Sequence, residues 1–146
     1  MRSRLPCVLA ALAGLAIATP VCAQKQVIAL PGGRGGGVLS PAIRAGDLIF
    51  VSGQTPSRAD STIDAQTTTE LTKIKTLLET AGTTMENVLK CQVFIIDGAD
   101  FAKMNEAYGK FFPSDKGPPA RTTVVVAALV SAGAKVEIEC IATMPK

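Results

Sequence analysis

The stretch LIFVSGQ (48–54) opens with four apolar residues in a row, and a run with no polar alternation reads as a central strand. A second apolar stretch lies just upstream, from Val38 to Ile43, and the intervening RAGD (44–47) supplies the turn of a hairpin. The polar segment QTPSRADSTIDAQ (54–66) follows, and within it Ser61 to Asp64 has the form of a helix N-terminal capping box. Beyond it Leu71, Ile74, Leu77, Leu78 and Ala81 recur at helical steps. That spacing predicts a helix stopped by Gly82, with Glu70, Lys73 and Glu79 on its wet face. NVLKCQVFIID (87–97) reads as a strand in which Val88, Cys91, Val93 and Ile95 alternate imperfectly, which predicts burial on both faces. Phe101, Met104, Tyr108, Phe111 and Phe112 then mark the apolar, core-facing side of a second helix. Two strands close the chain, 121–129 and 135–143, joined by the turn VSAGA.

The order is strand, strand, helix, strand, helix, strand, strand, an α+β pattern in which two helices cover one face of a mixed sheet. In the final strand Val136, Ile138, Cys140 and Ala142 point one way, and Glu137, Glu139 and Ile141 the other. If the helices take the first set, both carboxylates lie on an uncovered face that reads as a wet subunit interface.

Ahead of this domain, residues 1–23 carry Arg2 and Arg4, an apolar run from Val8 to Ala18, and small residues before Gln24. That order is a secretory signal peptide cut after Ala23, and the apolar run is shorter than the roughly 20 residues a bilayer span needs. The chain is therefore expected in the periplasm or medium, free of the membrane once cleaved. Residues 24–37, rich in glycine, read as a flexible segment, and 38–146 as a single domain. Loss of Arg2 and Arg4 from 15 basic against 12 acidic residues leaves a formal charge of +1. With no Trp, one Tyr and no basic run, nucleic acid is not an expected partner. The two remaining cysteines, Cys91 and Cys140, lie in apolar runs and read either as buried thiols or as a disulfide. The chain has no histidine, which removes the Ser/His/Asp and Cys/His nucleophile systems and the common zinc sites. Catalysis must then use carboxylates, arginine, hydroxyls, backbone groups and water.

One residue stands out against this background. In GPPARTTVVVAAL (117–129) an arginine, Arg121, opens an otherwise apolar strand. Either its long stem carries the charge out to water, or its planar fork awaits a carboxylate or phosphate.

The blocks VSGQTP (51–56), MNEAYGKFF (104–112), PPARTTVVVAAL (118–129) and KVEIECIA (135–142) occur in the order and at nearly the spacing of the Rid family. The chain resembles this family, also called RidA or YjgF, the reactive intermediate deaminases, over nearly all residues from Val38 onward. The resemblance implies a chorismate-mutase-like subunit, a homotrimer and clefts between subunits. It also implies hydrolysis of 2-imino acids and their enamine precursors to 2-oxo acids and ammonia, with no metal and no cofactor. Arg121 matches the arginine that binds the substrate carboxylate. Glu137 matches the acidic residue that orients or deprotonates water, with Glu139 as second choice. Ser52 and Gly53 match cleft-lining positions, Asn105 a polar position on the second helix, and Thr123 a position beside the bound acid. Leu39 stands where family deaminases carry a tyrosine, which implies weakened activity or an altered substrate. The turn before the last strand lacks the family's proline, so the lining carbonyl near Val130 is expected to be displaced. The alternative function is a trimer that binds or scavenges small carboxylates, such as 2-oxo acids, without turnover.

Overall fold

A computed structural model describes residues 24–29 and 37–145; residues 1–23, read above as a signal peptide, and most of the glycine cluster lie outside the described residues. Six strands, β1 (Gln26–Ile28), β2 (Ala42–Ala45), β3 (Leu48–Gln54), β4 (Val88–Ile95), β5 (Ala120–Val125) and β6 (Val136–Thr143), form one sheet. Its order is β1-β2-β3-β6-β4-β5. All neighbours are antiparallel except β4 and β5, which are joined through the second helix and run parallel. The last strand thus enters the middle of the sheet, between β3 and β4. The helices are α1 (Ile63–Ala81) and α2 (Phe101–Gly109). α1 lies on β3 and β6, and α2 packs beside α1. The expected α+β architecture is present, with one strand more at the N-terminal edge.

That edge strand lies within the segment read as flexible. Val27 and Ile28 pair with Ile43 and Ala42, and Ile28 is buried, which gives three residues enough reason to extend the sheet. The strand expected over Val38–Ile43 begins only at Ala42. Val38 and Leu39 are exposed in a bend ahead of it. The helix cap also shifts by one residue: Thr62, not Ser61, accepts a hydrogen bond from the Ala65 amide at 3.4 Å. Gly82 closes α1 in the left-handed conformation at φ 87°, as expected.

β4 is buried on one face only. Its imperfect alternation arises from a register shift against β6 between Val88 and Lys90, which turns Leu89 outward. β5 ends at Val125 rather than Leu129, and as an edge strand it leaves Val124 and Val125 exposed. β6 follows the expected alternation throughout, with Val136, Ile138, Cys140 and Ala142 buried beneath the helices. Cys91 and Cys140 are directly opposed on β4 and β6 and form a fully buried disulfide, Cα atoms 4.1 Å apart. Of the aromatic residues assigned to the core, Tyr108 and Phe112 are buried, whereas Phe101 is exposed. Glu70 overturns its expected wet position: it is wholly buried on the inner side of α1, in the stripe that holds Gln66, Leu71 and Ile74. Charge alone misplaces it, since four residues back Gln66 already faces inward.

Candidate functional site

Arg121 is the register partner of Cys91 in the parallel ladder, and partners in a ladder project to the same face. It therefore points to the helix-covered side of the sheet, at the open flank beyond β4. Its guanidinium lies over the Tyr108 ring, 4.6 Å from the centroid, and 5.9 Å from that of Phe101. Such placement over aromatic faces holds a cation through the ring quadrupole while leaving the edge donors of the fork free. Burial pushes the Tyr108 phenol up to about 12, with Arg121 acting in the opposite direction, so the ring beneath the cation is neutral. Among the described residues no acidic side chain pairs with Arg121, which is half-buried. Phe101, Asn105 and Tyr108 share one face of α2 by their spacing, which stands the exposed Asn105 beside the guanidinium. Thr123, two residues on along β5, projects to this side too, and its hydroxyl is buried without a partner.

A second group forms where β3 meets β6. The register between them shifts between Val51 and Gln54, a bulge that contains Ser52 and Gly53. A Cβ placed on Gly53 would overlap Oε1 of Glu137 and lie 2.9 Å from its Cδ, so the Glu137 side chain rests on bare glycine backbone. The Ser52 hydroxyl donates to the Ser40 carbonyl at 2.7 Å, which pins the bend carrying Leu39 against the same strand end. Leu39 itself is exposed and offers no polar atom. Glu139, two residues further along β6, accepts a hydrogen bond from Gln92 Nε2 and lines an open cleft of about 250 Å³ with Phe50, Ser52 and Ile141. Of the two glutamates, Glu137 is the one with no side-chain hydrogen bond or ion pair among the described residues. Val130 is fully exposed in the loop between β5 and β6.

The structure thus sorts the sequence-derived residues into two half-sites: Arg121, Asn105 and Thr123 in one, Ser52, Gly53, Glu137 and Leu39 in the other. Within one chain they do not meet. Arg121 lies two strands from β6, roughly 10 Å at the usual spacing, and Glu137 belongs to the alternate set that faces away from the helices. A small acid held by Arg121 cannot touch Glu137 of the same copy.

Two side chains of this region were not singled out from the sequence. Tyr108 supports Arg121, and its spacing from Phe101 and Asn105 was the available signal. Glu70 is buried on the inner face of α1. Burial, and after it the charge of Glu137, push its carboxyl up to about 10 against the opposing pull of Lys73, and neither of its oxygens has a hydrogen-bond partner.

An α+β subunit that presents an unpaired arginine and an unpaired glutamate in separate half-sites is suited to build sites between copies. The family model described as Endoribonuclease L-PSP matches residues 36–144. The mitochondrial protein mmf2 of Schizosaccharomyces pombe is 40% identical over 113 residues, covering 73% of this chain and 88% of mmf2. The chloroplastic Reactive Intermediate Deaminase A of Arabidopsis thaliana is 39% identical over 114 residues, 74% of this chain and 59% of that protein. A solved member of the YjgF/YER057c/UK114 family from Mycobacterium tuberculosis superposes with a TM-score of 0.72 at 28% identity, covering 83% of this chain and all of that one. The chain belongs to the Rid/YjgF family.

Proposed function

We propose that the protein is an imine and enamine deaminase that converts 2-imino acids to 2-oxo acids and ammonia at sites shared between copies of a homotrimer. One observation carries the reading: Arg121 is seated on Tyr108, and among the described residues no carboxylate pairs with it. A fork so held grips both oxygens of a carboxylate in one plane. The uncovered sheet face supports assembly, since Phe50 and Val124 are exposed there beside Ile43, Phe94 and Ile141. A neighbouring copy would bring its Glu137 half-site against Arg121.

The chemistry follows from that arrangement. Arg121 fixes the substrate carboxylate, which holds the adjacent C=N carbon in place. Glu137 of the other copy takes a proton from water as the water oxygen bonds to that carbon, giving a tetrahedral carbinolamine. That proton passes to nitrogen, the hydroxyl proton of the carbinolamine follows it by way of Glu137, and the C–N bond breaks with its electron pair going to the departing ammonia as the carbonyl forms. The substrate's bound acid group makes small 2-imino acids the substrate class. Leu39 supplies no hydroxyl to this cleft, so turnover slower than that of a tyrosine-bearing relative is expected.

Export is part of the proposal, and the buried Cys91–Cys140 disulfide supports it, since such bonds persist in oxidising compartments. RNA cleavage, the activity in the family model's description, finds less support in a near-neutral mature chain with one Tyr and no Trp or His. The test mixes purified protein with an amino-acid oxidase and follows 2-oxo acid release. Acceleration that Arg121→Ala and Glu137→Gln both abolish is expected. Arg121-dependent binding of 2-oxo acids with no acceleration from any imine would replace the enzyme by a carboxylate scavenger.

A further inference from the structure

We propose that the Cys91–Cys140 disulfide is a positioning link that holds Arg121 in place over Tyr108, so that the chain grips a carboxylate tightly only once the two cysteines are oxidised. The inference rests on the reading of Arg121 as the carboxylate anchor, and it adds the bond that sets where that anchor stands.

One row of residues crosses four strands. Val51 of β3 is the register partner of Cys140 of β6, Cys140 that of Cys91 of β4, and Cys91 that of Arg121 of β5. Partners in adjacent strands project to the same face, and Val51, Cys140 and Cys91 are buried on the helix side. Arg121 is the outermost member of a row whose middle rung is covalent.

The arginine has two supports, and they belong to different parts of the molecule. Its backbone lies in β5, an edge strand that among the described residues pairs with β4 alone. Its guanidinium rests on Tyr108 of α2, 4.6 Å from the ring centroid, and Phe112 backs that ring with centroids 4.7 Å apart. α2 packs on α1, which lies on β3 and β6. One support therefore moves with β4 and the other with β6. The disulfide joins β4 to β6 in the row of Arg121 itself.

The Cα atoms of Cys91 and Cys140 are 4.1 Å apart. Directly opposed residues of an ordinary antiparallel pair stand about 4.5 Å apart, or about 5.5 Å where they exchange hydrogen bonds. Without the bond, β4 relaxes outward by roughly 0.5 Å, and β5 goes with it while Tyr108 stays. The backbone ladders tolerate such a shift. A bidentate grip does not, because both N–H···O contacts must form at once. A misplacement of about 1 Å is enough for a hundredfold loss, and half of that costs roughly tenfold. The link itself forms when the two thiols give up two protons and two electrons to a disulfide oxidant, which leaves as two thiols. Both cysteines are buried in the fold, so this exchange belongs to folding. A chain folded among reducing thiols then holds Arg121 loosely, and one folded in an oxidising compartment holds it in place.

The experiment compares the parent with a Cys91→Ala, Cys140→Ala double variant and with Ile49→Ala, a buried core change of similar cost to stability placed on β3, across β6 and β4 from Arg121. Each is first shown to fold by circular dichroism and to remain assembled by light scattering. Should the double variant not fold, Cys91→Ala with Cys140→Val, which refills the space of the sulfurs, takes its place. The Arg121 Nε–H resonance, identified by its loss in Arg121→Ala, reads the seat through the ring current of Tyr108, and calorimetry reads 2-oxo acid binding. Loss of the disulfide is expected to shift the resonance and to raise Kd and KM about tenfold with kcat little changed, and the parent refolded in excess dithiol should do the same. Ile49→Ala should keep the parental resonance and Kd. An unmoved resonance in the folded double variant overturns the proposal, as does an unchanged Kd where Arg121→Ala abolishes binding. An equal change in Ile49→Ala overturns it too, since the effect would then be one of stability. If the resonance moves but Arg121→Ala binds 2-oxo acids as the parent does, the link stands and the reading of Arg121 as the anchor is what fails.

Discussion

Replacing Glu70 by glutamine should flatten the dependence of stability on alkaline pH. In the folded chain burial lifts this carboxyl from 4.5 to about 10, whereas in the unfolded chain it ionises near its ordinary value. Between those values the unfolded state carries fewer protons than the folded one. The free energy of unfolding then falls by about 1.4 kcal/mol for every pH unit on account of this single group. The stabilisation is complete below the unfolded value and is lost as pH rises through the folded one. From pH 4.5 to neutrality the loss comes to about 3.4 kcal/mol, a large part of the stability of a domain of this size. Glutamine does not titrate, so the variant lacks this slope. Its amide adds an offset that is the same at every pH, which leaves the slope of the difference untouched. Urea unfolding followed by circular dichroism, at fixed protein concentration because assembly contributes to apparent stability, measures the difference. The variant should gain on the parent by about 1.4 kcal/mol per unit between about pH 5 and 9, with no further gain at more acid pH. Parallel curves over that range would mean that Glu70 is already ionised in the fold, and the reasoning from its burial would fail.

Other perturbations test separate parts of the structure. Gly53→Ala inserts a Cβ into the Glu137 carboxylate, so kcat should drop by about a hundredfold from misplacement of that group while circular dichroism stays unchanged; retention of full activity would show that Glu137 works from another position. Tyr108→Leu removes the ring under Arg121 and should weaken 2-oxo acid binding in calorimetry by about 0.5–2 kcal/mol. Tyr108→Phe keeps the ring and loses only a hydroxyl with no partner, so it should bind as well as the parent and be no less stable. The disulfide closes a loop of sequence separation 49, for which chain entropy gives about 4 kcal/mol. Reductant or a Cys91→Ala, Cys140→Ala double variant should therefore lower Tm by more than about 10 °C in calorimetry, and an unchanged Tm would remove the bond from the stability of the fold.

The last strand shows how much of the architecture could be read in advance. Its strict alternation from Val136 to Ala142 set both the buried row and the row with the two glutamates, and the structure keeps both. The spacing of Leu71, Ile74 and Leu78 placed α1, and Gly82 ended it. Other features have no local signature. β1 is three residues long, too short for any period, and exists because Ile28 finds Ala42 across the edge. Glu70 was misplaced because a rule that reads charge as exposure has no means of seeing a protonated acid. The residues of the candidate site were drawn from the blocks around Arg121 and Glu137. Their separation into two groups was not, because it depends on which strand lies beside which: β6 enters between β3 and β4, and only then does β5 stand two strands from Glu137. The roles of Phe101 and Tyr108 as a seat for Arg121 depend in turn on α2 lying next to the flank of β5.

The division of Arg121 and Glu137 between faces has a genetic corollary. On the proposed mechanism, chains carrying only Arg121→Ala are expected to be inactive, and so are chains carrying only Glu137→Gln, but each still makes the half that the other lacks. Unfolded together and allowed to reassemble at random in equal amounts, the two would pair an intact arginine with an intact glutamate at about one contact in four, and roughly a quarter of the parental rate should return from two inactive parents. Return of activity on mixing would show that the active centre belongs to no single polypeptide, and its absence would place both groups in one copy.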